Sequence, residues 1–195
     1  MGITDLEEQF TFYASYHHST LNKLIHIGCV WPILWSAFVL SEYIPLQVPF
    51  IPENPLHPPN ITLITALFYA GVYIMMDKKA GSLGALLVFV SLVTAHRFYL
   101  GAQATWGHPA WQVAAVLHVL CWIAQFIGHG AFEGRAPALL DNMMQAFVMA
   151  PLFVLLEVMF FFGYRKDFQK KMWIRVEAEI AKLKRATTSG RNGKK

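Results

Sequence analysis

Apolar positions dominate this chain in long blocks, and five of the blocks approach the length of a membrane-spanning helix. They cover residues 24–44, 61–76, 82–100, 110–130 and 143–163. A helix rising 1.5 Å per residue needs about 20 apolar residues to cross about 30 Å of hydrocarbon. The fourth block, AWQVAAVLHVLCWIAQFIGHG, contains no acid, lysine or arginine, whereas the second is short and the fifth is interrupted at Ala150-Pro151. Proline inside a helix removes a hydrogen-bond donor and clashes with the preceding turn. The pattern predicts an all-α fold, an integral membrane bundle of four to five hydrophobic helices. No internal repeat or second core is visible, so residues 1–164 are expected to form one membrane-embedded domain, followed by a basic amphipathic tail over 165–195.

Composition agrees with this reading, since 55% of the 195 residues are hydrophobic and only 14% charged, far from the soluble average. Asp5, Glu7 and Glu8 make the N-terminus acidic, and the first long apolar run begins after Leu21. No cleavable leader is expected, and the first span would itself be the anchor. Cys29 and Cys121 fall inside expected spans, where a thiol packs as a small apolar group.

Charge then sets orientation. Residues 165–195 hold eleven Lys and Arg against three acids, and residues 1–164 hold five against nine. An excess of basic residues beside the last span places the C-terminus in the cytosol. Five crossings would leave Lys78 and Lys79 in the lumen. Four crossings, with the fifth block entering and returning at Pro151, put both termini, Lys78, Lys79 and Arg135 in the cytosol. Irregular backbone at such a turn is tolerated only where protein covers it, so the fifth block is expected inside the bundle. The segment PLQVPFIPENPLHPPN, residues 45–60, holds six of the ten prolines and reads as a stiff lumenal loop. In the tail, Phe168, Met172, Val176, Ile180 and Leu183 recur at helical spacing. Two readings stay open for them: a helix lying on an anionic leaflet, or a solvated helix before a disordered end. The basic charge is a topology signal pointing to membrane lipid, not to nucleic acid, and nothing in the pattern sets an oligomeric state.

The histidines carry the candidate chemistry. His57 and His108 lie in polar, proline-containing loops and are expected at the surface. His96, beside Arg97, is expected to snorkel at the lumenal interface. His17 and His26 bracket the cytosolic start of the first span in YHHSTLNKLIHIG. Ser19 or Thr20 caps a helix there, Asn22 and His26 share its face, and His17 precedes the cap, free to fold over that face. On the fourth span His118, Trp122, Gln125 and His129 are spaced by four, three and four residues. His118 and His129 therefore share a stripe, with His118 about 16 Å deeper. In the four-crossing arrangement His17, His26 and His129 reach one level, and Glu133 lies a turn beyond. Ionisable groups inside a membrane bundle are costly and point to function. Neutral imidazoles suit iron, zinc or copper, and two histidines with a carboxylate and open positions suit oxygen-activating Fe2+. Glu133 either binds the metal or orients an imidazole. The planar fork of Arg135 suits a substrate carboxylate.

FYASYHHSTLNKLIHIG, AHRFY and WIAQFIGHGAFEGRAPALLDNMMQAFVMAPLFVLLE resemble the fungal 2-hydroxy fatty acid dioxygenases of the endoplasmic reticulum. The resemblance spans most of residues 9–163 and excludes the tail and the proline-rich loop. It implies an Fe2+-dependent enzyme of the endoplasmic reticulum membrane that uses O2 to shorten 2-hydroxy fatty acids by one carbon with release of CO2, a step of phytosphingosine breakdown. Carried over by motif, it implies roles for Tyr16, His17, Asn22, His26, Gly128, His129, Glu133, Pro137 and Ala138, with His118 a further candidate imidazole. A diiron hydroxylase is disfavoured because HxxxH and HxxHH boxes are absent. A haem protein with His26 and His129 as axial ligands, and a non-enzymatic scaffold or transporter, stay open.

Overall fold

Short polar side chains at the heads of the apolar blocks start the helices. The computed structural model describes residues 5–46, 57–134 and 142–192, with the side chains of the last helix described as far as residue 181. It opens with α1 (Leu6–Tyr16) and α2 (Thr20–Ser41). Asp5 accepts the Glu8 N–H at the head of α1. Asn60 caps α3 (Ile61–Met76) through the Leu63 N–H, and Asp77 caps α4 (Lys78–Trp106) through the N–H groups of Lys79 and Ala80. Each cap satisfies donors that a first helical turn leaves without an intrahelical partner. α5 (Ala110–Gly128) continues into a π-helical turn, His129–Glu133, that stops at Gly134 in the left-handed region (φ 64°). A second π turn, Gln145–Met149, runs directly into α6 (Ala150–Phe161), and α7 (Lys166–Asn192) follows.

Helices α2 to α5 run up and down between two ends of the bundle. At the far end, Ser41 at the tail of α2 meets Thr62 at the head of α3 at 2.9 Å, and the Trp111 N–H donates to Tyr43 at 3.3 Å. At the near end, Asn22 of α2 donates to Glu133 beyond α5 at 3.1 Å. α2, α4 and α5 with its π turn are long and apolar enough to cross a bilayer, and α3 is a shorter apolar helix. Leu67, Phe68, Met75, Leu86, Val116 and Leu120 point outward, each about half exposed or more. In water such a surface would be an aggregation site, whereas in a bilayer it is the lipid face. The chain is an all-α membrane bundle, as its hydrophobic pattern predicts.

The fifth block departs from expectation at Pro151. Pro151 does not turn the chain; it sits where the π turn passes into α6, and its missing N–H leaves a carbonyl of the preceding turn to another donor. The chain is at the near end at Gly134, lies beside the middle of α3 by Phe147, and returns to the near end through α6. Tyr69 and Tyr73 donate to the carbonyls of Phe147 and Val148 at 2.7 and 2.8 Å, and Gln145 Nε2 donates to the Gln9 carbonyl at 2.8 Å. Protein groups thus satisfy the irregular turn, and Leu152, Phe153 and Leu156 beyond it are fully buried, as a membrane interior requires.

At the near end α6 and α7 meet at a bend of 118°. Asp77 holds it, accepting from Tyr164 at 2.9 Å and Arg165 at 2.6 Å. Hydrogen bonds from the Ala80 N–H, Tyr164 and Arg165 outweigh the opposing effect of burial and keep the Asp77 carboxyl below its ordinary value. The apolar stripe of α7 does not face a leaflet: Met172 and Val176 are buried, and Phe168 and Ile180 pack beside them. α1 takes up this stripe, and Glu7 fixes the pairing through Lys171 and Arg175 at 3.2 and 2.6 Å. Both described ends of the chain therefore lie at the near end.

Two histidine expectations fail at the far end. His57 is buried and His96 is turned inward, both against Glu42, while His108 is exposed as expected. A carboxylate at the end of an apolar helix is costly to bury without partners, and the two imidazoles supply them.

Candidate metal centre

Three elements bring three imidazoles together at the near end. α1 ends at His17, whose N–H closes the last turn on the Ala14 carbonyl at 3.2 Å. The His17 ring stacks on Tyr13, centroids 4.1 Å apart, and its Nδ1 donates to the Tyr13 carbonyl at 2.7 Å. His26, one turn into α2 from Asn22, donates from Nδ1 to the Asn22 carbonyl at 2.9 Å. A carbonyl only accepts, so Nδ1 carries the hydrogen in both rings and the free lone pair is on Nε2. His129 enters from the π turn.

The ring centroids are 4.4 Å apart for His17 and His26, 4.7 Å for His17 and His129, and 4.9 Å for His26 and His129. All three residues are buried, and one ligand nitrogen from each lies within 4.8 Å of the others. Burial, and then the neighbouring His26 and His129, hold the His17 imidazole well below its ordinary value. It is kept in the neutral form that ligates a metal. Fixed tautomers, buried lone pairs and a common focus fit a borderline divalent ion such as iron or zinc.

Glu133 is not among the three converging groups. Its Oε1 accepts from the Ser19 N–H at 2.9 Å and from Asn22 Nδ2 at 3.1 Å, and its Oε2 pairs with His18 Nδ1. The carboxylate caps α2, whose own Ser19 side chain makes no capping bond, and steadies Asn22, which in turn holds His26. A Cβ on Gly128 would lie 2.4 Å from Asn22 Oδ1, so the Gly128-His129 pair needs glycine for this close approach. Tyr16 stacks on Phe12 at 4.9 Å, and Tyr13, three residues earlier, meets His17 instead. His118 is not brought to the cluster. Its Nε2 accepts from Trp122 at 3.0 Å, and its Nδ1 lies 2.9 Å from Ser36 Oγ, whose hydrogen goes to the Ile33 carbonyl at 3.0 Å. Arg135, Pro137 and Ala138 lie outside the described residues.

The cluster opens on a cavity of about 530 Å³ lined by Tyr13, Gln125, Asn142 and Gln145 beside the three histidines. A second cavity, about 640 Å³ and lined by Leu34, Tyr69, His118 and Phe147, shares Trp122, Gln125 and Ala146 with it. The two lie side by side along α2 and α5, both mostly apolar and both open in part to the surroundings. The Tyr13 hydroxyl and Gln125 Nε2 are buried in the first with no hydrogen-bond partner among the described residues. Sequence reasoning passed over Tyr13, although its spacing of four from His17 was a usable signal.

The family described as 2-hydroxy-palmitic acid dioxygenase Mpo1-like matches residues 3–162. The 2-hydroxy-palmitic acid dioxygenase MPO1 of Saccharomyces cerevisiae is 32% identical over 165 residues, covering 84% of this chain and 84% of the relative. No solved structure matches at a significant level. The match runs through all three clustered histidines and both π turns, and the chain belongs to the Mpo1-like family.

Proposed function

We propose that this chain oxidises 2-hydroxy fatty acids with O2, breaking the C1–C2 bond to give CO2, water and a fatty acid one carbon shorter. The observation that carries this reading is the buried three-imidazole focus at the head of an apolar cleft, in a chain similar to an enzyme named for 2-hydroxy-palmitic acid. The reaction balances without a reductant, because cleaving the hydroxy acid supplies the four electrons that O2 takes up. Fe2+, held by His17, His26 and His129, would supply the redox chemistry with O2 when bound.

The chain's own residues bind and orient. The Tyr13 and Asn22 carbonyls fix the His17 and His26 rings, so both present Nε2 to one point. The Tyr13 hydroxyl and Gln125 amide are the donors for the substrate's carboxylate and 2-hydroxyl. Burial, and to a lesser extent the Glu157 carboxyl, push the Tyr13 hydroxyl well above its ordinary value, so it stays a donor. The acyl chain follows the second cavity along α2 and α5, past His118. Glu133 and Asn22 act as positioning residues, and Arg135 is the candidate partner for a carboxylate arriving from the near end. The enzyme would sit in the endoplasmic reticulum membrane with the near end and its basic helix in the cytosol. A haem reading is disfavoured because His26 and His129 rings 4.9 Å apart, with His17 beside both, leave no slot for a macrocycle between them.

Purified protein loaded with Fe2+ and given 2-hydroxyhexadecanoic acid should consume O2 and release CO2 and pentadecanoic acid in equal amounts. O2 uptake without the shortened acid, or no turnover at any iron load, would contradict the proposal.

A further inference from the structure

Glu42, His57 and His96 converge at the far end of the bundle, opposite the imidazole cluster. Their side chains are 2%, 4% and 15% exposed. Glu42 Oε1 is 2.8 Å from His57 Nε2, and Oε2 is 3.0 Å from His96 Nδ1. Asn60 Nδ2 also donates to Oε2, at 3.1 Å. The imidazole rings are 4.7 Å apart, and one ligand atom from each of the three residues lies within 4.8 Å of the others.

The His57 hydrogen bonds make this arrangement informative. Its Nδ1 is 2.7 Å from the Pro58 carbonyl, a group that only accepts, so Nδ1 carries a hydrogen. The neutral ring then turns its Nε2 lone pair onto a carboxylate oxygen at 2.8 Å. A proton on Nε2 satisfies this contact as a charge-assisted hydrogen bond, and a divalent ion about 2 Å from each donor can take that proton's place where the His96 nitrogen converges on the same point. Two imidazoles and a carboxylate form a donor set shared by zinc and Fe2+, and zinc, which has no redox chemistry, is the ion suited to a structural tie. The Pro58 carbonyl on Nδ1 is the outer partner that metal-bound histidines characteristically have. We infer that Glu42, His57 and His96 form a binding site for a divalent cation of the zinc class, which fastens residues 57–60 to the far ends of α2 and α4. The site is separate from the cleft and does not rest on the proposed oxidation.

The experiment is a zinc count. Full-length protein in detergent, stripped with a chelator, is titrated with Zn2+, and the bound ions per chain are measured after gel filtration. The double variant His57→Asn/His96→Asn and, independently, Glu42→Gln should each bind one ion fewer than the wild type and lose the zinc-dependent rise in melting temperature. His129→Ala, which disables the other cluster, should keep this ion, so failure of the near-end site is read separately. An unchanged zinc count in folded far-end variants would overturn the proposal. So would a His129→Ala protein that binds no zinc, an outcome that does not depend on the far-end variants folding.

Discussion

Backbone carbonyls, rather than carboxylates, set the tautomers of His17 and His26, so the geometry of the cluster is written into two helix ends. The sequence made the three histidines legible because their depths follow from a cap at Ser19 and from a rise of 1.5 Å per residue. It did not reveal Tyr13, because the stacking that selects Tyr13 over Tyr16 depends on how α1 packs against the bundle. His118 was legible as a member of the His129 stripe, but its engagement with Ser36 of a neighbouring helix was not. Gly128→Ala should push Asn22 from its place and cost about 1–3 kcal/mol by overpacking. Thermal unfolding in detergent should show a lower midpoint, and turnover should fall as His26 shifts. Tyr13→Phe should raise the KM for the hydroxy acid severalfold, whereas Tyr16→Phe should leave it near the wild-type value, as steady-state kinetics would show.

Helices and turns explain how a polar site survives in an apolar bundle. The His129–Glu133 π turn lets α5 deliver an imidazole to the focus and a carboxylate to the head of α2. The Gln145–Met149 turn lines the cleft and gives its carbonyls to Tyr69 and Tyr73. Removing the buried Tyr73 hydroxyl with Tyr73→Phe loses its bond to the Val148 carbonyl, at a cost of about 0.5–1.5 kcal/mol, measurable as a lower melting temperature. That the fifth block would stay inside the bundle could be read from its apolarity. That the helix runs on through Pro151 could not, because proline marks a helix's interruption as readily as a place where another donor serves the carbonyls it leaves free. Asp77 at the α6–α7 bend gives a pH-dependent prediction. Its folded carboxyl lies below the unfolded value of about 3.9, so its stabilisation is full above that value and is lost as pH falls through the lower folded one. Asp77→Asn should therefore lower the melting temperature at neutral pH, and the gap from wild type should shrink in strong acid. A gap that widens in acid would contradict this assignment.

The molecule as a whole places α1, α7 and the imidazole cluster at one end and the Glu42 group at the other. With the basic helix in the cytosol, protease added to intact microsomes should remove tags from both termini; protection of either tag would contradict that orientation. Four crossings with both termini in the cytosol is an expectation that rests on Lys78, Lys79 and the basic tail, and among the described residues three helices are long and apolar enough to cross, with α3 a shorter apolar helix. The packing of α7 on α1 was not readable from the sequence, since an amphipathic stripe fits a leaflet and a protein groove equally well. The central claim is that His17, His26 and His129 hold the metal on which oxidation depends, and bound iron per chain, measured with turnover on the same samples, tests it most directly. His129→Ala should lose the iron and the activity together, while His118→Ala should keep its iron and most of its turnover. A folded His129→Ala protein that retains both would contradict the account.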